Sequence, residues 1–86
     1  MDEYRVQVEV LHPLHSQDRK RAEEFLRTRG LDPEGDVEVS VLVSYDGRPA
    51  ATASLAANVV KEVAVDPSLE GEGLAALAVS RIISEA

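Results

Sequence analysis

The chain contains no cysteine and no tryptophan. Without cysteine there is no disulfide framework, no thiolate nucleophile and no cysteine-based zinc site, a composition that suits the cytoplasm. Large anchors are scarce as well, with one phenylalanine and two tyrosines among 86 residues. Valine, alanine and leucine carry most of the apolar content, so an aliphatic and thin core is expected. Basic residues are outnumbered 9 to 16, giving a formal net charge of −7. Phosphate-backbone affinity rests on clustered Lys and Arg, so nucleic acid is not an expected partner. No apolar run approaches transmembrane length, and Met1 is followed at once by acidic residues, so neither a membrane span nor secretion is expected. The length fits one domain over residues 1–86. Its stability should be marginal unless a partner or a homodimer covers more surface.

What is present is a regular alternation of segments. Tyr4 to Val10 places Tyr4, Val6, Val8 and Val10 on one side and Arg5, Gln7 and Glu9 on the other, which predicts a half-buried strand. His12-Pro13-Leu14-His15 ends it, because proline restricts both itself and its predecessor. Ser16 is a suitable N-cap for a helix to Arg29, with Ala22, Phe25, Leu26 and the stem of Arg29 inward. Gly30 then fits the first position past that helix, with Leu31 able to pack beyond it. The basic residues Arg19, Lys20, Arg21, Arg27 and Arg29 are mixed with Glu23 and Glu24, and read as a solvated face.

Val37, Val39, Val41, Val43 and Tyr45 alternate with Glu38, Ser40, Leu42 and Ser44, a second strand. Asp46-Gly47 is a strong hairpin signal. Pro49 to Leu55 returns as an alanine-rich third strand, Ala56-Ala57-Asn58 is the next turn, and Val59 to Val65 is the fourth strand. A terminal helix follows to Ala86, with Leu74, Ala78 and Ile82 on one face and Leu77, Val79 and Ile83 flanking. The expected fold is α+β, order β-α-β-β-β-α, with one mixed, mostly antiparallel sheet.

The junction between the fourth strand and the terminal helix carries the chemistry. Val63-Ala64-Val65-Asp66-Pro67 leads into Ser68-Leu69-Glu70-Gly71-Glu72-Gly73-Leu74-Ala75. A glycine-spaced turn between a strand and a helix directs several backbone N–H groups at one small volume, backed by the positive end of the helix dipole. Such a place suits a phosphate or pyrophosphate. The plainer reading is that Gly71 and Gly73 only let a strand enter a helix without strain.

These residues resemble the acetyl-CoA-binding motif of the GCN5-related N-acetyltransferases. That motif is a strand, a short loop, Gln or Arg, two variable residues, Gly, one variable residue, then Gly or Ala. Gly73 and Ala75 stand at its last two fixed positions, and Glu70 stands where the family has Gln or Arg. Upstream, Gly47 to Pro67, and above all Ser54-Leu55-Ala56-Ala57-Asn58-Val59-Val60-Lys61-Glu62-Val63-Ala64-Val65-Asp66-Pro67, looks like the acetyltransferase-like N-terminal domain of citrate lyase ligases. The resemblance implies acetyl-CoA (or CoA) as cofactor, with the turn Glu70, Gly71, Glu72, Gly73, Leu74 and Ala75 holding its pyrophosphate. The edge Val63, Ala64 and Val65 would pair with the pantetheine amides. A carboxylate near Glu62 can serve such enzymes as general base, against the plainer reading of a solvated strand residue. The family usually adds further strands after this motif, so a truncated or minimal acetyltransferase-like domain is expected. The chain also has no His-x-Gly-His element and no P-loop for nucleotide chemistry.

Two functional readings follow. In one, an acetyl group moves from acetyl-CoA to an amine or thiol acceptor, either in a free-standing enzyme or as part of a citrate lyase ligase. In the other, the domain binds CoA, the phosphopantetheine arm of an acyl carrier protein, or a partner domain, without catalysis. His12 and His15 flank a proline with no third ligand at a defined spacing, so no metal site is expected. Glu70 and Glu72 add negative charge beside the turn. Glu72, at a variable position, is expected to point to solvent, and Glu70 to oppose an anionic ligand.

Overall fold

The computed structural model describes residues 5–12, 16–33 and 35–85. Tyr4, His15 and Ala86, on which parts of the sequence reading fall, lie outside them. In chain order the elements are β1 (Val6–Leu11), α1 (Ser16–Thr28), β2 (Val39–Tyr45), β3 (Arg48–Ala56), β4 (Val59–Val65), a 3-10 turn at Pro67–Leu69, and α2 (Leu74–Ser84). This is the expected order. The sheet runs β1-β2-β3-β4 with antiparallel pairing throughout, so none of its described ladders is parallel.

The turn residues set that topology. Asp46 and Gly47 both have positive φ, 52° and 80°, as the tight hairpin turn matching strand twist requires. Ala57 and Asn58 repeat the arrangement at 49° and 63°. Asn tolerates this region, whereas Ala costs on the order of 1 kcal/mol there. The Ala57 amide donates to Glu38 Oε1 at 2.8 Å, which pins the second turn. Past Thr28, the Gly30 amide donates to the Arg27 carbonyl and the Leu31 amide to the Leu26 carbonyl, both at 3.0 Å. This is the paired capping pattern that a glycine after a helix permits.

The two helices cover opposite faces of the sheet. Alternation places Val39, Val41 and Val43 of β2 with Ala51, Ala53 and Leu55 of β3 against Leu74, Ala78 and Ile82 of α2. On the other face Leu11 and Leu42 meet Ala22, and Ala64 meets Phe25 and Leu26 of α1. Because both faces are covered, Ser40, Leu42 and Ser44 are buried along with the valines between them. The period-two pattern therefore separates two buried faces, not a buried face from a wet one.

The basic run on α1 requires a correction. Lys20, Arg21, Arg27 and Arg29 are exposed, but Arg19 is only 6% exposed. Spacings of three and four put Arg19, Ala22 and Leu26 on one stripe of the helix, facing the sheet. Arg29, whose stem was expected inward, is exposed, because α1 ends at Thr28.

Candidate functional site

The end of β4 is fixed by its own hydrogen bonds. The Asp66 amide donates to the Ala50 carbonyl at 2.7 Å, closing the ladder with β3. One Asp66 carboxylate oxygen accepts from the Ser68 amide at 2.9 Å and the Ser68 hydroxyl at 2.8 Å. These bonds cap the 3-10 turn. Together with the positive charges of Arg29 and Arg48 they hold the Asp66 carboxyl below its ordinary range, the Ser68 amide contributing most.

Beyond this cap the backbone opens. The Glu70 amide reaches the Pro67 carbonyl at 3.4 Å and the Glu72 amide the Leu69 carbonyl at 3.2 Å, so both are used internally. The amides of Gly71, Gly73, Leu74, Ala75 and Ala76 have no acceptor among the described residues. For Leu74, Ala75 and Ala76 this is the normal state of a first helical turn. No side chain caps the helix, because its N-cap residue is Gly73, at φ 76°. Gly71 has φ 93°, and a Cβ built at either glycine would project into open space. The glycines are thus required by backbone conformation, and the volume in front of them is clear for a ligand. A pocket of about 320 Å³ lies there, lined by Val65, Leu69, Glu70, Gly71 and Leu74 among others.

This pocket adjoins the β4 edge of the sheet. β4 is an end strand, so its outer N–H and C=O groups have no neighbouring strand among the described residues. A cleft of about 540 Å³ follows that edge, between Thr28, Arg29 and Leu31 at the end of α1 and Ala75 at the start of α2, with Val63, Ala64 and Val65 as its floor. Val65, Glu70 and Ala75 line both spaces, so the two adjoin. Glu70 lines both spaces and Glu72 neither, although both are exposed.

Glu62 is not a solvated strand residue. Thr52 pairs with Ala64 and Ser54 with Lys61, so Glu62 and Val63 together stand opposite Ala53. This is a β-bulge, and Glu62 occupies it with φ 56°. Its side chain is 3% exposed and lies under α1. Both carboxylate oxygens accept from Arg19 Nη2 at 3.1 Å, and Oε1 also accepts from Ser54 Oγ at 2.7 Å. Ser54 Oγ contacts Ser40 Oγ at 2.8 Å, and Ser40 Oγ accepts from Arg19 Nη1 at 2.9 Å. A closed ring of four side chains from α1, β2, β3 and β4 therefore fixes the bulge. A left-handed non-glycine residue costs on the order of 1–3 kcal/mol and persists where its surroundings over-determine it. Here the ring does so.

The structure places the turn residues beside the edge residues Val63 to Val65, and it adds Arg19, Ser40 and Ser54, which the sequence pattern did not single out. The signal for Arg19 was its place on the Ala22–Leu26 stripe. For the two serines it was their position between core valines and alanines on strands covered from both sides. His12 is exposed, and no cluster of three metal-ligating side chains occurs among the described residues. Among the same residues no helix is long and apolar enough to cross a membrane.

Comparison with known proteins places this geometry. The described fold superposes on a GCN5-related N-acetyltransferase from Kribbella flavida with a TM-score of 0.69 and 25% identity, covering 100% of this chain and 37% of that one. In sequence, 56 residues are 41% identical to the citrate (pro-3S)-lyase ligase of Klebsiella pneumoniae, covering 65% of this chain and 16% of that protein. Another 71-residue match, 36% identical, is to the corresponding ligase of Escherichia coli K12, covering 80% of this chain and 20% of that protein. The chain thus spans about a fifth of the length of these curated relatives. No family model matches it.

Proposed function

We propose that this chain, which has the fold of the GCN5-related N-acetyltransferases, is an acyl-CoA-binding, acetyltransferase-like domain spanning residues 1–86. The observation that carries this reading is the group of unused amides of Gly71 and of Gly73 to Ala76, set beside the β4 edge that no described strand pairs. The amides of Gly71, Gly73, Leu74 and Ala75 hold the pyrophosphate, helped by the positive end of α2. The backbone of Val63 to Val65 receives the pantetheine amides as an added strand would be received. Acetyl-CoA, when bound, supplies an activated acyl group to an amine or thiol acceptor. The protein's share is to orient that group along β4 and to keep the strand from shifting.

Within this reading Glu62 acts as a positioning residue, not as the general base. A base must reach the acceptor's proton, whereas both oxygens of Glu62 are held by Arg19 on the face covered by α1. Among the described residues the edge cleft is lined by no His, Tyr or Cys side chain, and Glu70 is its one carboxylate. This favours a second reading for the isolated chain: binding of CoA, or of a carrier protein's phosphopantetheine arm, without transfer. Similarity to the ligases fits a role as a non-nucleotidyl part of such an enzyme. The cysteine-free composition fits action in the cytoplasm.

Calorimetric titration with CoA and acetyl-CoA tests the proposal, with a test amine added to detect transfer. Saturable binding is expected, and transfer distinguishes the first reading from the second. Failure of both ligands to bind the folded chain would refute the assignment of the turn.

A further inference from the structure

A second cleft, of about 550 Å³, lies on the α1 side of the Pro67–Leu69 turn. That turn contributes Pro67 to the edge cleft and Ser68 and Leu69 to this one, while Thr28 and Arg29 line both, so the two clefts adjoin. The apolar part of the lining is Phe25, Tyr45, Pro49 and Leu69, and the charged part is Arg21, Arg29 and Arg48 with Glu24 and Asp66. In a chain with seven more acids than bases (16 against 9), three guanidiniums on one cleft are a local reversal of sign.

These arginines are not equivalent. Arg21 forks onto Glu9, with contacts of 2.8 and 2.9 Å. The guanidiniums of Arg29 and Arg48 make no hydrogen bond or contact ion pair among the described residues, although both act electrostatically on Asp66. Asp66 in turn is committed to Ser68 through one oxygen. Two unclaimed planar forks beside an aromatic and aliphatic floor match an oxyanion, which guanidinium binds in bidentate fashion, carried on a flat or apolar body. The two carboxylates balance the charge and disfavour a polyanion. We propose that this cleft is a binding site, distinct from the turn of α2, for a small organic phosphate or carboxylate gripped by Arg29 and Arg48.

The inference does not depend on CoA binding, and Arg48 separates the two, because it lines this cleft and not the edge cleft. The test is NMR titration of the isotope-labelled full chain with adenosine monophosphate and, separately, with benzoate. Saturable amide shifts are expected at Thr28, Arg48, Ser68 and Leu69. Arg48→Gln should weaken binding by about tenfold or more, the effect of losing one charged hydrogen-bonding partner. Arg48→Lys should recover only part of it, and Arg27→Gln, outside the cleft, should change nothing. Arg48 is exposed, so thermal unfolding should show each variant folded. Response to the nucleotide alone identifies a phosphate as the group read, response to benzoate a carboxylate, and either supports the site. Competition between the nucleotide and CoA would give the cofactor's own phosphate end as the source, whereas joint binding would give a separate ligand. Absence of saturable shifts with both probes at millimolar concentration, or equal binding by Arg48→Gln, overturns the proposal. CoA binding in that same sample would leave the function of the turn intact.

Discussion

Replacing Arg19 by Met tests whether the ring beneath α1 is a fixed element of the fold. The Arg19 side chain is 7% exposed and that of Glu62 is 3% exposed. Removing the guanidinium leaves a carboxylate in that setting with only the Ser54 hydroxyl among its ring partners. Breaking a buried pair in this way costs about 3–5 kcal/mol, whereas replacing both partners by apolar groups is often neutral. A chain of this length has a total stability on the order of 4–13 kcal/mol, at roughly 0.05–0.15 kcal/mol per residue. Arg19→Met should therefore lower the urea midpoint sharply or unfold the chain. The double variant Arg19→Met with Glu62→Leu should recover much of the loss, for a coupling of about 2–3 kcal/mol. The control is Arg21→Met, which breaks the pair with Glu9, where the side chains are 44% and 38% exposed. An exposed pair is worth about 1 kcal/mol or less. Far-UV circular dichroism during urea titration reads the wild type, these three variants and Glu62→Leu, which completes the cycle. If Arg19→Met cost no more than Arg21→Met, and the double variant showed no coupling, the ring would not hold the bulge.

Other consequences follow from the same geometry. Glu70→Gln should tighten CoA binding by up to about fivefold in calorimetry, because a carboxylate facing the turn is removed while solvent screening limits the gain; unchanged or weaker binding would contradict the orientation of Glu70. Ile82→Ala, at a fully buried position, should cost about 2–5 kcal/mol, and Ile83→Ala, at an exposed one, under about 1 kcal/mol, both read by chemical denaturation. Asp66 and Glu9 are held below their ordinary values of 3.8 and 4.5. Each therefore favours the folded state above its ordinary value, and that contribution is lost as pH falls from about 4.5 through the depressed values. Thermal unfolding between pH 6 and 3 should show a falling midpoint, and Glu9→Gln should flatten the upper part of that fall.

The order of elements, the bounds of β4, both tight turns and the inner face of α2 were legible because each rests on local chemistry. Asp46-Gly47 and Asn58 favour positive φ by residue type, and Leu74, Ala78 and Ile82 repeat at helical spacing. The turn of α2 was legible for the same reason, since glycine spacing and a following helix define it without reference to distant residues. Burial on the α1 face was not legible, because it depends on a second helix covering strands whose alternation suggested one wet side. That is why Arg19 read as a surface charge and the burial of Ser40 and Ser54 was not anticipated. Nor did residue type announce the bulge. Glutamate is an unfavourable occupant of a left-handed position, and its placement follows only from partners 8 and 43 residues away, Ser54 and Arg19.

The central claim, that free amides at the start of α2 grip an anionic cofactor tail, is tested most directly by Ala75→Glu. An acidic residue in the first helical turn should leave stability unchanged or raise it by about 0.3–1 kcal/mol. The same carboxylate lines both the turn and the edge cleft and should abolish CoA binding. Calorimetry of this one variant is expected to show binding lost, while urea unfolding shows stability unchanged or raised. CoA binding that survives the substitution in a folded protein would contradict the account.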